Sequence, residues 1–284
     1  MTPLRIVDLH FGGQEHAIGV YLLETTDGLA LQDCGPASTL PALVAGLREH
    51  GVELSDLRHL LLSHIHLDHA GATGSLVRRH PKLTVWVSPV GAPHLVDPSR
   101  LERSARRLYG EMFDALWGEL LPVPQANVRI AAGNVLGWEA FPTVGHASHH
   151  VSYFRNGTLL AGDAAGVRIA PSSYVLPVSP PPDIDVEAWH ATIAEIRRRE
   201  PEQLALVHFG IHTDAETHLD RLDAELDRWA ARVRSGMDAE EFVAAARADV
   251  AGEADRYDRV APFVQSWFGL RRYWDKRLEA EAAP

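Results

Sequence analysis

The segment Ser63-His64-Ile65-His66-Leu67-Asp68-His69-Ala70-Gly71 constrains this chain more than any other. Three histidines and an aspartate fall between positions 64 and 69, directly after the apolar stretch Leu57 to Leu62, which reads as a buried strand. A strand end is rigid, and the loop after it can turn inward. Two apart on an extended backbone, His64 and His66 can point the same way. Asp68 and His69 follow once the chain has turned, so they can face a second position beside the first. Imidazole and carboxylate at this density are metal-ligand chemistry. A solvated polar loop does not account for four such side chains between Leu60-Leu61-Leu62 and Ala70-Gly71.

The rest of the chain supplies the scaffold. Strands are expected over 4–9, 18–24, 29–33, 57–62 and 83–87, with helices over 39–50 and 70–80. A single amphipathic helix is expected over 99–120, its stripe Leu101, Ala105, Leu108, Met112, Ala115 and Leu116 packed on the sheet. Tyr109, Phe113 and Trp117 form a second stripe along its edge, suited to a substrate pocket, a dimer partner or the C-terminal helix. Short strands follow near 127–130, 136–141, 150–154 and 158–161. After a Pro- and Ser-rich loop over 171–182 come a helix over 185–199 and a buried strand over 203–207. Helices over 215–234, 238–248 and 257–280 complete the chain. Two β-runs, each followed by helix, suit two sheets between helices.

Three further segments complete a pattern with the first. Gly145-His146-Ala147-Ser148-His149-His150, Leu160-Ala161-Gly162-Asp163 and Val207-His208-Phe209-Gly210 follow in that order, with Asp33-Cys34-Gly35 upstream. Together these resemble the H-x-H-x-D-H motif, the G-H-T-x-G-H segment, the strand-end Gly-Asp, the last strand-end histidine and the D-x-G turn of the metallo-β-lactamase superfamily. The resemblance runs from about residue 18 to 210. It implies an α/β (α+β) fold, the four-layer αββα sandwich. The core would be residues 1–212 with a helical insertion at about 97–121, and 213–284 a helical extension packed on it. It also implies two divalent metal ions, zinc first, with iron or manganese as alternatives. One ion takes His64, His66 and His146; the other takes Asp68, His69 and His208; Asp163 bridges them. A hydroxide held between the ions would be the nucleophile, with Asp68 orienting it. His150 matches a histidine that supports the site without ligating, and His149 stands where the family often has Gly.

The same resemblance narrows the chemistry. His66 stands where the flavodiiron branch has Glu, and Asp163 where secreted zinc β-lactamases commonly have Cys. Ester, thioester or lactone hydrolysis is the resulting expectation, close to the glyoxalase II-like and lactonase-like branches. A phosphodiesterase or RNase Z-like nuclease, and an iron-dependent redox or sulfur-oxygenase protein, stay as alternatives. Tyr174, eleven residues after Asp163, is a catalytic candidate for holding a substrate carbonyl, ahead of Tyr21. Arg271 and Arg272 could meet carboxylates but read first as a solvated helix face. Among the histidines outside the motifs, His212 stands out, four residues after His208.

Composition sets the remaining bounds. The formal net charge of −11 disfavours nucleic acid as a partner. It suits a site that gathers cations. No apolar run approaches the roughly 18 residues of a membrane span, and the N-terminus shows no secretory signal pattern. With a single cysteine, Cys34, no internal disulfide can form. The expectation is a cytoplasmic enzyme for a small-molecule substrate with an apolar group, with no membrane partner and a homodimer left open.

Overall fold

The computed structural model describes residues 4–282, with side chains to residue 280. Contacts divide the chain into two compact units. The first runs to Pro142 and adds His149–Leu160; the second combines Thr143–Ser148 with the residues from Ala161 onward.

The first unit is built on a six-stranded sheet. Its strands are β1 (Arg5–Asp8), β2 (Gly19–Thr25), β3 (Gly28–Gln32), β4 (Leu57–Leu61), β5 (Thr84–Val87) and β6 (Val128–Ile130), side by side in sequence order. The pairs β1–β2 and β2–β3 are antiparallel, while β3, β4, β5 and β6 run parallel. Parallel strands are covered on both faces, so they read as continuous apolar runs. In β4, Leu57, Leu60 and Leu61 are accordingly buried. The register Gln32↔Leu61 brings the ends of β3 and β4 together, so Asp33 and Ser63 emerge side by side.

The second sheet contains β7 (Gly133–Val135), β8 (Trp138–Pro142), β9 (Val151–Arg155), β10 (Thr158–Gly162), β11 (Gln203–Leu206) and β12 (Gly210–His212), in the order β12-β11-β10-β9-β8-β7. A tight turn at Leu136 and Gly137, both with positive φ, joins β7 to β8, so the strand expected over 136–141 begins at Trp138 and pairs with β7, a strand the sequence did not announce. Of these strands β7, β8 and β9 belong to the first unit, and the second unit holds β11, β12 and the helices Val186–Arg197, Ala215–Arg234, Ala239–Val250, Ala254–Val260 and Phe263–Ala282. Trp189, Trp229, Phe242, Tyr257 and Phe263 form its buried aromatic core. The helix expected over 257–280 is two, because Pro262 has no amide hydrogen to continue the first. No helix among the described residues is long and apolar enough to cross a membrane.

The insertion departs from expectation. Instead of one helix over 99–120 there are Ser99–Tyr109 and Phe113–Trp117, broken at Gly110, whose φ of +53° an L side chain rarely adopts. The break turns the second piece, and the aromatic edge becomes the buried face. Phe113 and Trp117 pack on Leu67, with Phe11, Leu101 and Tyr109 against them. Leu108 and Met112, expected to pack on the sheet, are 46% and 57% exposed.

Candidate metal centre

In the first unit the ligand-type residues sit where β4 ends. His64 and His69 are buried, and Asp68 opens the short helix Leu67–Ala70. The side chain of Asp33 organises them from below. Its Oδ1 accepts the Ser63 N–H at 2.7 Å. Its Oδ2 accepts from Ser63 Oγ at 2.7 Å, Gln32 Nε2 at 2.6 Å and His69 Nδ1 at 2.9 Å. A carboxylate only accepts, so His69 carries its proton on Nδ1 and its lone pair on Nε2. Ser63 Oγ has given its hydrogen to Asp33, so at 3.0 Å it accepts from His64 Nδ1. His64 therefore also presents Nε2 as a lone pair. That nitrogen lies 2.9 Å from His66 Nδ1, and His69 Nε2 lies 3.7 Å from Asp68 Oδ2.

Tyr153 and His149 steady the same loop. The Tyr153 hydroxyl donates to the Leu62 carbonyl at 2.9 Å, and burial raises its pKa well above the usual phenol range. His149 Nδ1 receives the Ile65 N–H, and its ring stacks on His64 at 5.9 Å. The family's glycine position is thus taken by an imidazole that holds the loop between two ligands. His150 stands 4.9 Å from His64, ring to ring.

The second unit carries the other three. Asp163 follows β10 and His208 follows β11. His146 Nδ1 donates to the Val178 carbonyl at 2.7 Å, which again leaves the lone pair on Nε2. That Nε2 lies 3.5 Å from Asp163 Oδ2, while His208 Nε2 lies 3.6 Å from Asp163 Oδ1. Each oxygen of one buried carboxylate faces a different imidazole. Bonds of about 2.0–2.1 Å to a tetrahedral ion put neighbouring ligand atoms roughly 3.3 Å apart, close to both separations. Ligand-type side chains are thus gathered within each unit, His64, His66, Asp68 and His69 in the first and His146, Asp163 and His208 in the second. The donor set fits metal ions on chemistry and on spacing.

Other candidates are placed elsewhere. The Tyr174 hydroxyl, expected to meet a substrate carbonyl, donates to Glu225 Oε2 at 3.0 Å and accepts from Trp229 Nε1 at 3.1 Å. Burial and the Glu225 carboxylate raise its pKa, so it is a neutral structural group. His212 lies on β12 with Nε2 3.1 Å from the Phe209 carbonyl, and burial lowers its pKa. Arg271 pairs with Asp275 on an exposed helix face. His218 lies outside the sequence motifs. It is fully buried, and its Nε2 holds the Ala165 carbonyl at 2.7 Å, two residues past Asp163. No spacing in the sequence announces that contact, nor the one Trp189 makes to Ala164.

The sequence model of the metallo-β-lactamase superfamily matches residues 16–225. The chain belongs to that superfamily. Most members of the metallo-β-lactamase superfamily are metal-dependent hydrolases. The metallo-β-lactamase fold-containing protein ST1585 of Sulfurisphaera tokodaii is 27% identical over 180 residues, 60% of this chain and 67% of that protein. The crystal structure of ST1585 superposes with a TM-score of 0.64 at 20% identity, covering 95% of this chain and 99% of that one. TTHA1429 of Thermus thermophilus gives a TM-score of 0.65 at 18% identity, covering 99% and 94%. TTHA1623 in a di-iron-bound form gives 0.52 at 24% identity, covering 74% and 93%. These likenesses establish the fold.

Proposed function

We propose that this protein is a dinuclear metal-dependent hydrolase acting on an ester, thioester or lactone carbonyl of a small molecule. His64, His66 and His146 hold one ion, and Asp68, His69 and His208 the other, with Asp163 between them. The observation that carries this reading is Asp163, whose two oxygens face His146 and His208 separately at 3.5 and 3.6 Å. A carboxylate serving two imidazoles from two strand ends suits a bridge between cations better than a single site. The pinned Nδ1 atoms of His64, His69 and His146 add support, since each presents Nε2 without any rearrangement. TTHA1623 shows that the fold can hold two metal ions, there iron.

The ions, when bound, would lower the pKa of water toward neutrality and polarise the carbonyl. The chain's own groups do the positioning. Asp68, partly exposed beside His69, orients the attacking water. Asp33 keeps His69 in one tautomer through the reaction. A cleft of about 340 Å³ in the first unit, lined by Leu9, His10, Phe11, Ser38, Pro41 and Leu116 among others, would take the substrate's apolar group. Phe11 stacks on Trp117 at 5.5 Å, and Trp117 packs on Leu67, between His66 and Asp68.

Elemental analysis after reconstitution with excess zinc, iron or manganese tests the site, with about two ions per chain expected. A stoichiometry that stays at one removes the dinuclear reading. A panel of thioesters, lactones, simple esters and phosphodiesters then tests the reaction. Turnover confined to phosphodiesters would replace carbonyl hydrolysis with nuclease-type chemistry.

A further inference from the structure

We infer that Trp189 is a positioning residue that sets the His146 imidazole and the Asp163 carboxylate against each other before any ion arrives. The inference rests on the ligand assignment proposed above. It concerns one face of the helix Val186–Arg197, where Asp185 at the N-cap, Trp189 and Thr192 fall at helical spacing. All three hold the segment that carries His146. The Asp185 N–H donates to the Gly145 carbonyl at 2.9 Å, and Thr192 Oγ1 to the Val144 carbonyl at 2.6 Å. Between them, the Trp189 backbone packs so closely on Gly145 that a Cβ there would sit 2.4 Å from the Trp189 Cα. Gly145 also has a φ of +133°, open in practice only to glycine.

The Trp189 side chain then reaches in two directions. Its ring meets the His146 ring edge-on, with centroids 5.8 Å apart and planes at 76°. Its Nε1–H donates to the carbonyl of Ala164, the residue after Asp163, at 2.8 Å. The side chain is fully buried, so this geometry has no solvent-facing alternative. His146 is thus fixed at Nδ1 by Val178 and on its ring by Trp189, while Asp163 is fixed through its neighbour. Tryptophan combines a rigid apolar face for His146 with an N–H donor on its edge for the Ala164 carbonyl, and phenylalanine lacks that donor. The 3.5 Å gap between His146 Nε2 and Asp163 Oδ2 is the consequence. It matches ligand-to-ligand spacing around one ion, so little is spent on moving the ligands at binding.

Trp189→Phe tests this. It keeps an aromatic ring beside His146 and removes the donor to Ala164. Ile196→Val, a fully buried position on the same helix, is the packing control. Zinc affinity by chelator competition and the visible absorption spectrum of the cobalt(II)-loaded protein are measured alongside the melting midpoint. We expect Trp189→Phe to weaken binding of one ion by about 10- to 100-fold, the range for outer partners of metal ligands. Its cobalt bands should shift, while Ile196→Val keeps wild-type affinity and spectrum. Unchanged affinity and spectrum in a folded Trp189→Phe protein would overturn the inference, and so would equal weakening in both variants. Should Trp189→Phe not fold, Thr192→Val decides. It is nearly isosteric and loosens the same face, so a several-fold loss of affinity supports the inference and wild-type affinity overturns it. A wild-type protein that takes up no metal would overturn the ligand assignment and this inference together. Metal uptake by wild type with no effect of these variants overturns this inference alone.

Discussion

The two groups of candidate ligands are held in different ways. In the first unit, His64 and His69 lean on groups at adjoining strand ends: Asp33, Ser63 and Gln32. Their Nδ1 atoms are held by groups at the ends of β3 and β4. In the second unit, His146 and Asp163 lean on remote elements. Val178 lies in a loop, Trp189 on one helix and His218 on another. The first arrangement is a local device that a short motif can encode. The second exists only after helices from the C-terminal part have packed.

The largest effect is expected from the one residue that serves two imidazoles. Asp163→Ala should abolish turnover and lose bound metal with it, because two cations would remain near each other without a shared anion. The fold should persist, since both units are held by their own buried apolar side chains. Circular dichroism, elemental analysis and a substrate assay on one preparation check all three. A variant that hydrolyses substrate at wild-type rate would show that the ligand assignment is wrong.

Asp33→Asn attacks the local device in turn. Asp33 has a φ of +59°, which asparagine tolerates as readily as aspartate, so backbone strain should not change. The amide nitrogen cannot accept the hydrogen bonds of Ser63 Oγ, Gln32 and His69 that Oδ2 now takes. Metal affinity should fall about 10- to 100-fold. Stability should fall by about 1–3 kcal/mol for the unsatisfied buried donors. Equal metal affinity in Asp33→Asn and wild type would show that the local device does not orient the first unit's imidazoles.

This contrast also explains what could be read from the sequence. The dense motif from His64 to His69, and the strand ends at Asp163 and His208, are legible because ligand chemistry and strand-end position coincide there. Helix Ala215–Arg234 is legible to the residue from its periodicity. The insertion was misread because its strongest aliphatic stripe includes Leu108 and Met112, which the break at Gly110 leaves facing out. Periodicity assumes one continuous helix axis, and a single positive φ defeats it. Trp189 and His218 were illegible for another reason. Their partners are the carbonyls of Ala164 and Ala165, which have no side-chain signature.

The insertion gives a third test, because it brings remote support to the first unit as well. Phe113 is fully buried against Leu67, and the Arg106 guanidinium lies over its ring at 4.1 Å. Phe113→Ala should cost about 3–5 kcal/mol, the usual range for emptying such a site. Met112→Ser on the exposed side should change stability by no more than about 0.5 kcal/mol. Urea unfolding of both variants separates them. If Phe113→Ala also loosens metal, the local device depends on the insertion, and the contrast between the units narrows. Similar midpoints for the two variants would mean that the aromatic cluster is not a core.

Acid should weaken the second unit through His218. Its Nε2–H donates to the Ala165 carbonyl, and its Nδ1 is buried without a hydrogen-bond partner among the described residues. A second proton would have to enter that buried position, facing His212 and Arg168, with the Ala165 carbonyl and Asp214 compensating only in part. Burial, aided by His212 and Arg168, lowers the pKa to about 4 from the usual 6.5. The sign follows from which state binds the proton first. Between pH 6.5 and pH 4 the unfolded chain is protonated at this histidine and the folded chain is not. The stabilisation is therefore complete above pH 6.5 and is lost as pH falls toward 4. Its full size is about 3 kcal/mol, at 1.36 kcal/mol per pKa unit. His218→Gln keeps a donor for Ala165 and cannot take the proton. Metal-free wild type and variant, unfolded in urea at pH 7, 5.5 and 4.5, differ only at this group, so the metal-ligand histidines cancel. The wild type should lose more stability than the variant over that range, by about 2 kcal/mol at pH 4.5 on the same scale. Parallel losses would place the acid sensitivity elsewhere, and the carbonyl beside Asp163 would then be held without help from a neutral imidazole.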